Sequence, residues 1–543
     1  MRHSTNKTWI AKFSLLAALA VVHILASPVQ AAAPGITGPT FDLTATPGFI
    51  TQPDGASVYS WGYGCNTAPG GFSPASIAGA NCPTMQLPGP TLIVTEGDTV
   101  SVTLHNNLPV TAGNTSILFP GFQVCSATLN QDGTCTGAAT GAPGLLTSEA
   151  VNGSTVTYSF VASAPGTHAY YSGTQADLQI EMGLYGAIIV LPKSIPGNCM
   201  GTLNDQAKSA NSESDFRLAP AAFNHTSACY DREYLFQFSE IDPTIHQQVE
   251  EQVLADQAKA QNLQCTQPTG CLVVKTEPYV PAYFMVNGRS MPDLMDSNYA
   301  VHYPHQPYNG NPHMHPGEMT LLRIVGTGRW QHPFHEHGNH VRVLARDGNL
   351  LLTANADPTK QKLAGPLLFT TTTTPGQTID GIFQWTGKGL NWDVYGHGYA
   401  GDQSFCTPDA NGYYTLKSDG TSAAAEPNYY EWCGDHNKAL ESKPFGQVGS
   451  GGPVTLPDAN ILTNGAWYGG SPYLGPEATA RAVGNTPIPP SGTVGNSPSG
   501  EAGFAYMWHS HNEREITTNN AFPGGMMMMM LVDPRAFVID EAK

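Results

Sequence analysis

The apolar positions of this chain fall mostly in short runs with a two-residue repeat. Thr99-Val100-Ser101-Val102-Thr103-Leu104 and Thr155-Val156-Thr157-Tyr158-Ser159-Phe160 alternate polar and apolar side chains, a pattern that in extended backbone sends one set to each face. Thr91-Leu92-Ile93-Val94 and Gly186-Ala187-Ile188-Ile189-Val190 are nearly apolar throughout, as strands covered on both faces are. Glu96-Gly97-Asp98 and Pro165-Gly166 supply turns between such runs. Residues 41–192 therefore read as a β-sandwich or barrel. Strand patterns resume at Glu233–Phe238, Phe284–Val286, Thr320–Val325, His340–Leu344 and Ile379–Trp385, and return at Gly503–His511 and Met526–Val532. One helix is expected, from Thr244 to about Gln261, where Glu, Gln, Ala and Lys cluster.

Residues 391–500 differ in texture. They are rich in Gly, Pro, Ser, Asn and Tyr, contain Gly449-Ser450-Gly451-Gly452 and Pro489-Pro490-Ser491-Gly492, and read as a long irregular insertion. At 543 residues the chain exceeds one hydrophobic core, and 41% hydrophobic residues exclude a disordered chain. The 58 Gly and 43 Pro favour many turns between short strands. The expected organisation is a leader at 1–31, an N-terminal domain at 32–193, a Ser/Asn/Ala-rich linker at 194–230, the first part of a C-terminal domain at 231–390, the insertion at 391–500, and closing strands at 501–543. A three-domain arrangement, with part of 391–500 as its own sandwich, is the alternative.

The leader has Arg2, Lys7 and Lys12, an apolar stretch from Phe13 to Ala26, and small residues at Val29-Gln30-Ala31, the pattern of an export signal. A periplasmic or extracellular destination is expected, with no membrane insertion, because no other stretch approaches the apolar length a bilayer requires. The net charge of −18 becomes −21 once the leader, with three basic residues and no acidic one, is removed. Such a surface repels nucleic acid and anionic lipid and tolerates cations. All ten cysteines follow the leader in neighbouring pairs: Cys65/Cys82, Cys125/Cys135, Cys199/Cys229, Cys265/Cys271 and Cys406/Cys433. In an oxidising compartment these read as disulfides, paired by proximity alone; zinc binding is the weaker reading, since no CxxC occurs.

Eight of the 18 histidines lie between 302 and 340, and two more form His509-Ser510-His511. The dense core is His332-Pro333-Phe334-His335-Glu336-His337-Gly338-Asn339-His340. Residues i and i+2 of a strand share a face, so each His-x-His pair presents two imidazoles side by side, and two such strands offer four nitrogen donors to one or two metal ions. Imidazole suits copper, nickel, iron and zinc, and copper binds nitrogen sites most tightly among the divalent ions. His335, His337, His509 and His511 are the candidate ligands. No Gly-x-Ser-x-Gly elbow precedes a helix, which argues against a Ser-His-Asp hydrolase.

These motifs carry a resemblance. Pro88-Gly89-Pro90-Thr91-Leu92, Glu96-Gly97-Asp98 and Asn106-Asn107-Leu108-Pro109 are similar to the opening of a multicopper oxidase, and Gly183-Leu184-Tyr185-Gly186-Ala187 to the close of its first domain. Val286-Asn287-Gly288, the His332–Gly338 run, Arg346-Asp347-Gly348, Pro375-Gly376-Gln377, Trp508-His509-Ser510-His511 and Gly524-Gly525-Met526 resemble later motifs in order. The resemblance implies an all-β fold of tandem cupredoxin-like Greek-key sandwiches and copper as cofactor. It also implies His332 as a blue-copper histidine and Met526 as its axial ligand, although Met526–Met530 reads more simply as a buried apolar strand.

The departures are large. The family's first two histidine motifs should fall at Leu118-Phe119-Pro120-Gly121 and Tyr171-Ser172-Gly173, and neither holds histidine; His168 nearby reads as a strand residue. Ser510 stands where the family has the blue-copper cysteine, and Glu513-Arg514-Glu515 fills the region of that site's downstream histidine. A serine hydroxyl cannot replace a thiolate that both binds copper and connects it electronically to the neighbouring histidines. His332 is then an outer or extra ligand. His313-Met314-His315 reads as a solvated loop, with an accessory copper site as the alternative, and Glu336 as pointing to the strand face opposite the histidines.

The leading expectation is a copper-dependent oxidoreductase with a reduced one- or two-copper site, using a small-molecule or metal-ion reductant and dioxygen as candidate acceptor. A copper-binding or storage protein without turnover, and a structural exoprotein on the same scaffold, are the alternatives.

Overall fold

A computed structural model describes residues 33–126, 147–258, 270–388, 407–432 apart from 427, and 503–540 apart from 536, with short pieces at 128–129, 135–136, 434 and 470–473. The leader, most of the insertion, and Cys265, Cys406 and Cys433 lie outside these residues.

The alternating runs become strands whose apolar sets face inward. Thr99–Asn106 buries Val100, Val102 and Leu104 and leaves the intervening Ser, Thr and His toward solvent. It pairs in parallel with Thr40–Thr51 and antiparallel with Thr155–Val161, and Ser57–Cys65 closes that four-stranded sheet. The facing five-stranded sheet runs Gly166–Tyr171, Tyr185–Leu191, Leu92–Thr95, Gly35–Thr37, Phe72–Ser73. Between them Trp61, Tyr63, Phe119, Tyr158 and Phe160 form the first core. The helix spans Pro243–Ala258, and Ile245, Val249 and Val253 along one face pack into that same core.

The second half repeats the architecture. One sheet is ordered Tyr283–Val286, Arg232–Ile241, Met319–Gly326, Thr378–Gln384, Val341–Arg346, Asn349–Leu350. The other is ordered His313–Met314, Met527–Val532, Gly503–Ser510, His332–Glu336, Thr370–Thr373. Phe236, Phe238, Phe334, Phe383, Trp508 and Met528 interdigitate between them. The chain is all-β in class, with tandem cupredoxin-like sandwiches and few helices.

The sandwiches are fastened by a buried polar clamp. Asp380 accepts from the Thr167 amide at 3.0 Å and hydroxyl at 2.6 Å, while Arg323 reaches Glu233 at 2.7 Å and Asp380 at 3.4 Å.

One expectation changes and another gains detail. Residues 194–230 hold regular structure of their own. They carry a helix, Leu203–Ala210, capped by Thr202 and Asp205 in a reciprocal capping box, and the Cys199–Cys229 disulfide. His313-Met314-His315 is no solvated loop. The His313–Met314 strand pairs with Met527–Val532, and both imidazoles are buried: His313 Nδ1 meets Asp533 at 2.6 Å, and His315 Nε2 meets Glu213 at 3.1 Å. Disulfides join Cys65–Cys82, Cys125–Cys135 and Cys199–Cys229, and Cys271 is bonded as well.

Candidate metal centre

Strand register assembles the site. The His332–Glu336 strand lies between Gly503–Ser510 and Thr370–Thr373, so that His509, His335 and Thr370 form one row across three strands. His337 follows His335 by two residues and His511 follows His509, which adds one imidazole on each diagonal. The His335 ring centroid lies 4.8 Å from that of His337, 5.5 Å from His509 and 5.0 Å from His511. His337 and His509 are 5.1 Å apart. Trp508 Nε1 donates to the His337 carbonyl at 2.9 Å, and the His511 amide donates to the Pro333 carbonyl at 2.8 Å, extending the register past the strand ends. Gly338, at φ +101°, turns the chain immediately after His337 against the Tyr506 ring; a Cβ there would stand 3.0 Å from Tyr506 Cδ1.

One nitrogen from each of His335, His337 and His509 lies within 4.8 Å of the others. The His509 Nε2 to His337 Nε2 distance is 3.3 Å. Metal–nitrogen bonds of about 2.0–2.1 Å at tetrahedral angles place donors about 3.3 Å apart, so this spacing fits a shared ion. The tautomer also fits. His509 Nδ1 stands 2.7 Å from the Ser510 carbonyl, which only accepts, so Nδ1 carries the proton and Nε2 keeps its lone pair. His335 Nδ1 lies 2.9 Å from Thr370 Oγ1, a contact that orients the ring. Burial, followed by the neighbouring imidazoles of His337, His509 and His511, pushes the His335 pKa down to about 4. Burial, with His511 adding, lowers that of His509. Both rings are therefore neutral and ligand-competent at neutral pH. His511 is exposed at the edge of the cluster, and Phe369, itself 44% exposed, packs its ring against His335 and His340.

The core-facing residues of the same strands do something else. Ser510, His332 and Glu336 all point inward and are fully buried. His332 is not free to serve as a copper ligand: its Nε2 lies 2.9 Å from Glu240 and its Nδ1 2.9 Å from Glu515. Burial opposes a charged ring, but the hydrogen bonds and charges of the two carboxylates outweigh it and raise the pKa to about 9. Ser510 donates its hydroxyl to the same Glu515 oxygen. Gly525, at φ +60°, lets the loop before Met526 pass this segment; a Cβ there would meet the Glu515 carbonyl at 2.1 Å. Met526 is fully buried in the apolar core between the sheets. Glu336 accepts from Thr371, and burial raises its pKa to about 8.

Glu213, His315 and Glu318 also place three ligand atoms close together. The positive charge there comes from the protein: Arg232 pairs with Glu213 at 2.9 Å and Glu318 at 2.6 Å, and Arg535 lies 3.7 Å from Glu318. This is an internal ion-pair network. In the first sandwich, Leu118 and Tyr171 exchange backbone hydrogen bonds at 2.7 and 3.3 Å, so the two motif positions without histidine are neighbours. Leu118 and Gly173 line a polar cleft of about 400 Å³ with Asn114, Ser116 and Glu149. His168 is a buried strand residue held by the Ala164 carbonyl at 3.0 Å.

Sequence reasoning found the four imidazoles but not Thr370, Glu240 or the role of Glu515. Glu240 and Glu515 lie 92 and 183 residues from His332, and only sheet packing brings them to it.

Comparison with known proteins bears on the two sandwiches separately. Multicopper oxidase family models match residues 73–195 and 275–383, the latter including His332, His335 and His337. Over 108 residues the chain is 33% identical to multicopper oxidase GIP1 of Gibberella zeae and 37% identical to laccase 1 of Metarhizium acridum. Each of these matches covers 20% of this chain and 15% of the relative. Laccase ustL of Ustilaginoidea virens is 32% identical over 133 residues, 24% of this chain and 18% of the relative. The chain thus spans less than a fifth of the length of the curated relatives it matches. Among solved structures, the blue copper oxidase of Nitrosomonas europaea aligns over 90% of this chain and 85% of its own, at 15% identity and TM-score 0.42. The laccase of Botrytis aclada aligns over 66% of this chain and 48% of its own, at 20% identity and TM-score 0.36. One matched segment lies in each half, so both sandwiches carry similarity to the multicopper oxidase family.

Proposed function

We propose that this chain is an exported copper oxidoreductase with a reduced metal site, in which His335, His337 and His509 hold copper and His511 stands at its edge. The observation that carries the reading is the convergence of three imidazole nitrogens, two of them 3.3 Å apart, with the His509 proton fixed on the far nitrogen. Copper is the family's cofactor and the divalent ion that nitrogen donors bind most tightly. When bound, it supplies one-electron chemistry between Cu(II) and Cu(I) toward a small phenol or a metal ion, with dioxygen as terminal acceptor. The chain's own residues do the rest. Thr370 and the Ser510 carbonyl orient two ligand rings, the low pKa of His335 keeps its lone pair free of protons, and Phe369 gives the reductant an apolar ring to lie against.

The domain bounds we propose are those expected from the sequence, with the ligand strands brought together across the 391–500 insertion. A second reading, copper binding without turnover, is favoured by one feature: Leu118, Tyr171 and Gly173 stand where the first sandwich would contribute histidines.

The test is metal identity and stoichiometry in protein from its native compartment, followed by oxygen uptake with a phenol or Mn(II). Bound copper with uptake supports the oxidoreductase. Bound copper without uptake supports the second reading, and protein that stays free of copper under loading ends both.

A further inference from the structure

The inward face of the ligand strands holds a charged cluster that needs no metal. His332 stands between Glu240, at the end of the Arg232–Ile241 strand, and Glu515, beyond the Gly503–Ser510 strand, with 2.9 Å to each. Each carboxylate is also held by other donors. Glu240 Oε1 accepts from the amides of Arg329 at 2.7 Å and Trp330 at 2.8 Å. Glu515 accepts from Ser510 Oγ and from Asn512 Nδ2 at 2.8 Å. Both nitrogens of a ring that faces two carboxylate oxygens must donate, so the ring is an imidazolium. Both carboxylates and the ring are buried, and the two anions share the one imidazolium, each within a hydrogen bond of it.

This cluster occupies the strand face on which the resemblance places a blue copper. His332 stands at the histidine position, Ser510 at the cysteine position, and Met526 beyond them in the core. The donor set does not fit copper. There is no thiolate, the one imidazole has no free lone pair, and a cation entering would face an imidazolium already paired with both acids.

We infer that the Glu240–His332–Glu515 triplet is the permanent occupant of this position, a built-in cation in place of a metal, so that these strands take up copper through the imidazoles of the opposite face and not at His332. The triplet also ties the two sheets and both ligand strands together from behind.

Two variants decide the matter. Ser510→Cys restores the missing thiol with one atom changed. If the triplet holds its place, copper-loaded S510C shows none of the intense visible absorption of a copper–thiolate bond; if S510C turns blue, His332 and its surroundings were free to bind metal and the inference is overturned. The variant H335Q/H337Q/H509Q/H511Q removes the outer imidazoles. It should lose all copper uptake, whereas retention of one equivalent that disappears on adding H332Q would place copper in the triplet. The proposed function and this inference fail separately: a wild-type chain without copper ends the former, and only a blue S510C or copper retained at His332 ends the latter.

Discussion

Replacing Thr370 by valine keeps the shape of the side chain and removes one hydroxyl. That hydroxyl lies 2.9 Å from His335 Nδ1, on the strand directly beside the ligand strand, and it orients the ring. Without it the ring loses one of the contacts that orient it toward the other imidazoles. Loss of a group that orients a metal-bound imidazole typically costs about 10–100-fold in affinity, or about 1.4–2.7 kcal/mol. The same change should cost the apo-protein only about 0.5–1.5 kcal/mol, the net worth of one hydrogen bond. The assay is Cu(II) affinity by competition with a chelator, with apo-protein Tm measured in parallel. T370V should weaken copper 10–100-fold with a small fall in Tm, and T370S should restore the affinity. Equal copper affinity in T370V and wild type would falsify the claim that Thr370 orients His335 for copper.

Other expectations follow from the same geometry. H337Q should weaken copper far more than H511Q, since His337 belongs to the closely spaced nitrogen trio and His511 flanks it; similar losses in the same competition assay would move the site toward the exposed edge. Arg323→Met leaves Glu233 and Asp380 buried without their cation and should cost about 3–5 kcal/mol in urea unfolding, with no cost refuting the clamp. Glu336 has its folded pKa raised to about 8, so the folded state holds a proton that the unfolded chain releases in the ordinary carboxylate range. The stability from this group is present in acid and is lost as pH rises toward 8. Glu336→Gln should therefore gain Tm relative to wild type from pH 5 to pH 9, and parallel Tm curves would show that the carboxyl does not titrate this way.

The strands were largely legible because alternation survives translation into burial. Residues 99–104 and 155–160 lie in strands that pair with one another, and the 503–510 run buries Phe504, Tyr506, Trp508 and Ser510 as its period requires. The helix begins at Pro243, beside its expected start at Thr244, and is described as far as Ala258; the expected end at Gln261 lies outside the described residues. The imidazole cluster was legible for the same reason, since the His-x-His spacing places rings on one face whatever the partner strand. What the pattern could not carry was long-range charge. His313 and His315 read as a loop because polar residues beside Pro316-Gly317 suggest solvent, yet Asp533 and Glu213, more than a hundred residues away, pair with them inside the protein. His332 read as an outer or extra ligand because its motif resembles a blue-copper site that has Ser510 in place of the cysteine, while its neighbours in space are Glu240 and Glu515.

The pleat of the Gly503–Ser510 strand has a further consequence. Side chains one residue apart belong to different compartments, one dry and one at the sheet's outer surface, and they answer to different constraints. A change at position 510 rearranges the interior without moving the rings on either side of it, and a change at 509 or 511 does the reverse. Two chemistries written on alternate letters of one short ribbon can thus be rewritten independently, and in this chain the inward letters belong to a buried salt cluster while the outward ones carry imidazoles.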